Sequence, residues 1–424
     1  MKYRLPYNDS EIELDLPDGV RIEGTTFPPA LPDVGAALDF AIESPEGCAP
    51  LSELIPEGGR VSILISDITR GSVAGVILPF LLERLEGMGV AGDSIEIMIS
   101  AGMHRGRGRE DLIRHLGVEI VDRYPVLEHD ACDSSSMFKV GVTSAGTECY
   151  FSERIVDSGL VIGIGQISFH YFAGFGGARK LILPGIASES TILTNHRLSL
   201  LDDPSEGLVE GCRPGNLEDN PVHRDMLEGA RLLPSPVFMI NTVSGKDEDI
   251  VFINGGDLEQ SHLSATRWFK DRFSFGIERP YSAVIVSAGG SPRDINLLQS
   301  HKAIKYASYA VGQGGLLLAA AACPEGIGSD SYDRSFESGR DGVPGRVREK
   351  YTLNSQTAMS TFDISGRFSV YLRSGIDDEI VRRFGLFPWE KDYSRFLLAG
   401  IDPDDMLVIP NAATFLPVLE VSGG

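Results

Sequence analysis

Apolar runs that end in glycine or in a polar cluster set the rhythm of this chain. RVSILISD (Arg60 to Asp67), the segment Ile95 to Ile99, and LVIGIG (Leu160 to Gly165) are apolar at nearly every position. Such runs suit strands covered on both faces, as in a parallel sheet. Val73 to Gly87, between the first two, has helical spacing, so the order is strand, loop, helix, strand. Asp33 to Glu43 also predicts a helix, and EIELDL (Glu11 to Leu16), Pro17-Asp18-Gly19 and VRIEG predict a hairpin.

Downstream, helices are predicted over Pro221 to Arg231 and Asp257 to Phe273, with the strand PVFMINTVSG between them. Phe275 to Pro280 reads as a crossing, after which the pattern restarts. YSAVIVSAGG and GGLLLAAAA are strands flanking a helix over Asp294 to Ala310, and RFSVYL and DMLVIP follow. Gly326 to Gly345 is polar and glycine-rich, which predicts a mobile loop or a lid. The fold class is therefore α/β: two α/β domains with mainly parallel sheets, residues 1–275 and 276–424, with the active site in the cleft between them. Open parallel sheets bind ligands at the carboxyl ends of their strands.

Composition narrows the function. At 424 residues, 42% hydrophobic and 23% charged, the chain is long enough for two or three cored domains. A net charge of −22 opposes binding to nucleic acid or an anionic membrane, which need clustered Lys and Arg. Behind MKYRLPYNDSEIELDL there is no apolar run, and the longest apolar segment, Leu316 to Cys323, is too short to span a bilayer. A cytoplasmic location is expected. Five scattered cysteines without a CxxC pair predict free, mostly buried thiols.

The chemistry concentrates between Leu160 and Arg197. The strand LVIGIG enters a glycine-rich loop with His170, Lys180 follows ten residues later, and His196 lies on a later helical segment. A strand, a glycine loop and a helix form an anion-binding geometry. GFGGARK lacks the P-loop spacing, since Lys180 follows Arg179 and precedes Leu181. His104 and Asp67 sit at predicted strand ends with Arg70 and Arg105 nearby. Three histidines are compatible with a zinc hydrolase, and a glycine loop alone with a non-catalytic protein that binds a phosphorylated ligand.

SDITR (Ser66 to Arg70), GMHR (Gly102 to Arg105), HYFAGFGGARKLILPG (His170 to Gly185), NHR (Asn195 to Arg197) and DINLLQSHKA (Asp294 to Ala303) resemble, in order, segments of the nickel-dependent lactate racemase family. The resemblance implies an isomerase that racemises or epimerises lactate or a related 2-hydroxycarboxylate by reversible hydride transfer. It also implies a nickel-pincer nucleotide, a sulfur-bearing pyridinium mononucleotide covalently attached at Lys180, with His196 as the protein ligand to nickel. His104 and His170 match the two acid/base histidines. Asp67, Thr69, Gly174, Gly176 and Gly177 match cofactor-binding positions, and Arg70, Gln299 and Lys302 match substrate-binding ones. Cofactor assembly enzymes are the implied protein partners. Leu298 stands where the family's lactate enzymes carry a tyrosine, so the resemblance supports the reaction type more firmly than it supports lactate.

Overall fold

The computed structural model describes residues 1–67, 73–104, 108–390 and 397–420. Its first sheet has the spatial order Ile250–Gly256, Val237–Ser244, Leu160–Gln166, Val61–Ser66, Ile95–Ser100 and Val126–Glu128. All neighbours are parallel except the first pair, a hairpin at the edge. Successive side chains on a strand point to opposite faces, and here both faces are apolar. Ile63, Ile65, Ile97 and Ile162 pack with Leu38, Ile77 and Leu81 of the helices Val34–Glu43 and Val73–Gly87. Leu64, Met98, Val161 and Met239 pack with Leu183, Ile192 and Met226 on the other side. This two-sided cover is what makes the strands read as uninterrupted apolar runs.

The second sheet is wholly parallel, in the order Phe387–Pro388, Ser369–Arg373, Val311–Ala320, Tyr281–Ser287, Met406–Ile409 and Arg21–Ile22. Val284, Val286, Leu317 and Ala319 face the helices Leu297–Ala307 and Ser355–Arg367. Ala283, Ile285, Leu318 and Val408 are covered by Leu5, Ile12 and Leu14 of an N-terminal hairpin.

That hairpin corrects the sequence reading. Ser10–Asp15 pairs with the preceding strand Lys2–Tyr7, through a turn with Asn8 at φ 50, and Arg21–Ile22 leaves to join the second sheet. Asparagine tolerates the left-handed conformation that a tight hairpin turn requires. The region from Gly326 to Gly345 is also not a mobile loop. It contains the helix Asp330–Ser335 and the start of Val343–Glu349, with Tyr332, Phe336 and Val343 buried in the core. Its few apolar residues are hidden in the sequence among glycines and charges. Ser274–Ile277 crosses between the sheets and pairs with Leu416–Leu419. Among the described residues no helix is long and apolar enough to cross a membrane.

Candidate active site

Three adjacent parallel strands, Leu160–Gln166, Val61–Ser66 and Ile95–Ser100, deliver His170, Asp67 and His104 just beyond their carboxyl ends. Asp67 is buried, and its Oδ2 lies 2.7 Å from Nδ1 of the more exposed His104. A carboxylate only accepts, so Nδ1 carries a proton, and in the neutral ring Nε2 presents a lone pair. The His104 loop is tied down by Gly102 N–H donating to Gly185 O at 3.0 Å, a residue five positions after Lys180. Thr69 and Arg70 lie outside the described residues.

The glycine loop is a small hairpin in which Phe169–His170 pairs with Gly174–Phe175. Gly174 has φ +78, and a Cβ there would sit 2.1 Å from Asn216 O, so only glycine fits. Phe172 projects into the site as a hub. Its ring centre is 4.6 Å from that of His170 and 5.0 Å from that of His196, and Lys180 Nζ is 5.7 Å from it. Ala173 N–H donates to His170 Nδ1 at 3.2 Å, which puts the proton of the neutral ring on Nε2. That nitrogen is 3.3 Å from Lys180 Nζ.

The expected anion cradle differs in detail. Lys180 lies in a short 3-10 turn, Ala178–Leu181, and the helix Glu189–Arg197 starts only at the Ser188 cap. Gly176 N–H is used within the loop, donating to Ser168 O at 2.8 Å.

Arg179, which sequence reasoning uses only to reject a P-loop, holds this loop from below. It is 0% exposed, and its guanidinium donates to Ala173 O and Phe175 O, while its Nη1 lies 2.9 Å from His262 Nε2, a nitrogen that also faces Gly176 O at 3.0 Å. Among the described residues it has no carboxylate partner, and burial pulls its pKa down to about 9. Nothing in a GGARK string signals a buried arginine. Arg179→Met removes the donors from two buried carbonyls and is expected to cost about 3 kcal/mol. An unchanged midpoint in a urea titration would show that those acceptors find other donors.

The helix Leu297–Ala307 of the second sheet lies against this loop. Tyr306 O–H donates to Phe169 O at 2.8 Å, and the His301 ring meets the Tyr171 ring at 5.3 Å. Asn296 caps the helix by accepting from Gln299 N–H, and half-buried Gln299 and Lys302, three residues apart, share one flank. Tyr171 itself reaches across to the helix Ser355–Arg367, where its hydroxyl is 2.5 Å from Thr357 Oγ1. The His301 ring is 2% exposed and neither nitrogen has a partner among the described residues.

Burial, then Lys305 and Lys302, pull the His301 pKa down to about 3. Above about pH 6.5 the ring is neutral in folded and unfolded chains alike. As pH falls from there toward 3, the unfolded chain takes up a proton that the folded one does not, so stability drops. The site is expected to remove about 3 kcal/mol between pH 6.5 and 4. His301→Leu, which suits neighbours Leu297, Ile304 and Ile364, should flatten that acid limb in urea titrations at pH 7 and 4.5. Equal acid sensitivity in both proteins would contradict this.

His196 lies near the end of the helix Glu189–Arg197, largely buried, with Nδ1 3.1 Å from Asn195 Oδ1. Among the described residues no three His, Cys, Asp or Glu side chains gather as a metal-ion set. The three-histidine zinc alternative therefore has no ligand cluster there, whereas a single imidazole completing a group that brings its own donors remains compatible.

Residues 7–208 match the lactate racemase N-terminal domain and residues 278–359 the lactate racemase C-terminal domain. A lactate racemase from Thermoanaerobacterium thermosaccharolyticum is 31% identical over 345 residues, covering 80% of this chain and 78% of its own. One from Lactiplantibacillus plantarum is 33% identical over 297 residues, covering 70% and 68%. The structure of the T. thermosaccharolyticum lactate racemase apoprotein superposes with a TM-score of 0.88 at 27% identity, over 99% of this chain and 100% of that one. A Thermotoga maritima protein, at TM-score 0.67 and 18% identity, shares the fold. With both domain matches and this extent of identity, the chain belongs to the lactate racemase family.

Proposed function

We propose that the chain is a racemase or epimerase of 2-hydroxy acids that works by reversible hydride transfer to a group tethered at Lys180. One observation carries this reading: His170, Lys180 and His196 converge on the Phe172 ring, while His104, braced by Asp67, stands at the end of a strand two places along the same sheet. A 2-hydroxy acid loses its configuration only if C2 becomes planar, as in a 2-keto acid. That requires removal of the hydroxyl proton together with the C2 hydrogen, and its reversal on either face.

The residues present fit a nickel-pincer nucleotide. Lys180 Nζ lies 3.3 Å from His170 Nε2, so a group carried on that nitrogen would stand beside the His170 ring. His196 Nδ1 faces an acceptor oxygen, leaving Nε2 as the lone-pair atom for nickel. When bound, the group would supply a hydride acceptor for C2, with soft donors and one imidazole around nickel. Asp67, Thr69, Gly174, Gly176 and Gly177 are proposed to line its site.

His104 then takes the hydroxyl proton through Nε2 on one face, and His170 exchanges it through Nε2 on the other. Arg70, Gln299 and Lys302 are proposed to hold the carboxylate, arginine with a two-pronged donor and lysine as a point charge. Residues 1–275 would thus carry the tether and Arg70, and 276–424 the substrate contacts Gln299 and Lys302, with the helix Leu297–Ala307 at their junction. Loading would depend on separate cofactor assembly enzymes.

Asp67→Asn keeps a hydrogen bond to His104 but lets the ring take the wrong tautomer. It is expected to lower kcat by about 100-fold to 10,000-fold, following the effect of such a change in the chymotrypsin triad. Wild-type kcat in that variant would remove Asp67 from the role. The reading as a whole is tested by loss of optical activity across lactate, malate, hydroxyglutarate, aromatic 2-hydroxy acids and sugar acids, using cofactor-loaded protein. Racemisation of at least one is expected, and no turnover by fully loaded protein on any of them would overturn it.

A further inference from the structure

We infer that Asn195 and Asp225 form a polarity-fixing relay that sets the tautomer of His196, making them positioning residues for the nickel ligand. The inference rests on the proposed role of His196 and goes beyond it by naming what prepares that side chain.

The direction of each hydrogen bond is forced. Asn195 is 0% exposed, and its Nδ2 donates to Asp225 Oδ2 at 2.8 Å and Val222 O at 3.3 Å, both of which can only accept. The amide therefore cannot be flipped, and Oδ1 is the atom that meets His196 Nδ1 at 3.1 Å. An amide oxygen only accepts, so Nδ1 carries a proton, and in the neutral ring Nε2 keeps the lone pair. Asp225, 2% exposed on the helix Pro221–Arg231, is itself held by hydroxyls. Thr143 Oγ1 donates to its Oδ1 and Thr147 Oγ1 to its Oδ2 at 2.9 Å. Three neutral donors, and no cation among its described ion pairs, surround a buried carboxylate. Fixing a downstream amide gives this costly arrangement a purpose, because second-neighbour partners of metal-bound histidines orient the ring and tune its basicity.

The test uses four proteins beside the wild type: Asn195→Ala, Asp225→Asn, His196→Ala, and a double variant that combines Asn195→Asp with Asp225→Asn. In the double variant one oxygen of the carboxylate introduced at position 195 can accept from His196 and the other from the new amide, at the loss of the donation to Val222 O, while the Thr147 hydroxyl reverses and the Thr143 hydroxyl still donates. Nitrogen-15 NMR of the metal-free proteins reads the His196 tautomer, and nickel retained by loaded protein under a chelator reads the consequence. The wild type should show Nδ1–H. Asn195→Ala should shift to a mixture and lose nickel about 10-fold to 100-fold faster. The double variant should recover both readouts, which a merely structural role would not do. A folded Asn195→Ala protein with unchanged tautomer would overturn the relay, as would a folded double variant that fails to recover. If single variants fail to fold, the double variant alone decides by the same readouts. His196→Ala retaining nickel like the wild type would instead remove His196 as ligand, a failure of the proposed function that the metal-free tautomer measurement detects separately.

Discussion

Lys180→Ala is expected to abolish racemisation, by more than about 10,000-fold, and to leave protein that folds normally but carries no covalent adduct. The size follows from what tethering does: it turns the meeting of substrate carbon and hydride acceptor into an intramolecular event, where effective concentrations are very large. Folding should survive because Lys180 is only half-buried and the loop is held by Arg179, Gly174 and the Phe169–Phe175 pairing. Intact mass, racemisation and a thermal melt on the same sample check all three points. Full activity in the variant would remove Lys180 from the tether, and loss of the melt would assign it to the fold.

The second large effect concerns the two histidines. His104→Ala and His170→Ala should each lower racemisation by about 100-fold to 10,000-fold in both directions, because every complete turnover uses one ring as base and the other as acid. Half of the cycle should survive more often than the whole. In a rapid-quench single turnover with one enantiomer at a time, each variant should form 2-keto acid from the enantiomer whose hydroxyl faces the remaining histidine, and the two variants should show opposite preferences. Equal keto acid from both enantiomers in both variants would end the assignment of one base to each face.

The sequence makes some parts of this protein easy to read and conceals others for physical reasons. Strands such as Val61–Ser66 and Leu160–Gln166 are legible because burial on both faces leaves nearly continuous apolar runs. Their carboxyl ends locate His104 and His170 through the general rule for open sheets. The helical cover at Tyr332, Phe336 and Val343 escapes notice because its few apolar residues sit among glycines and charges, and a helix supported by tertiary packing needs little local signal. Phe172, Arg179 and the Asn195–Asp225 pair escape for a different reason. An aromatic hub reads as core, a buried arginine reads as surface, and a relay formed by residues thirty positions apart has no spacing to recognise. Each becomes visible only through partners such as His196 or His262 that the fold brings near.

The most direct test of the hydride mechanism follows an isotope. One enantiomer of the 2-hydroxy acid turned over fastest, deuterated at C2, is racemised in ordinary water by loaded enzyme and analysed by mass spectrometry after chiral separation. Return of the same hydride predicts deuterium retained at C2 in both enantiomers at full racemisation. Deuterium washed out into solvent as configuration is lost would show proton abstraction from carbon instead, and would contradict hydride transfer to a group at Lys180.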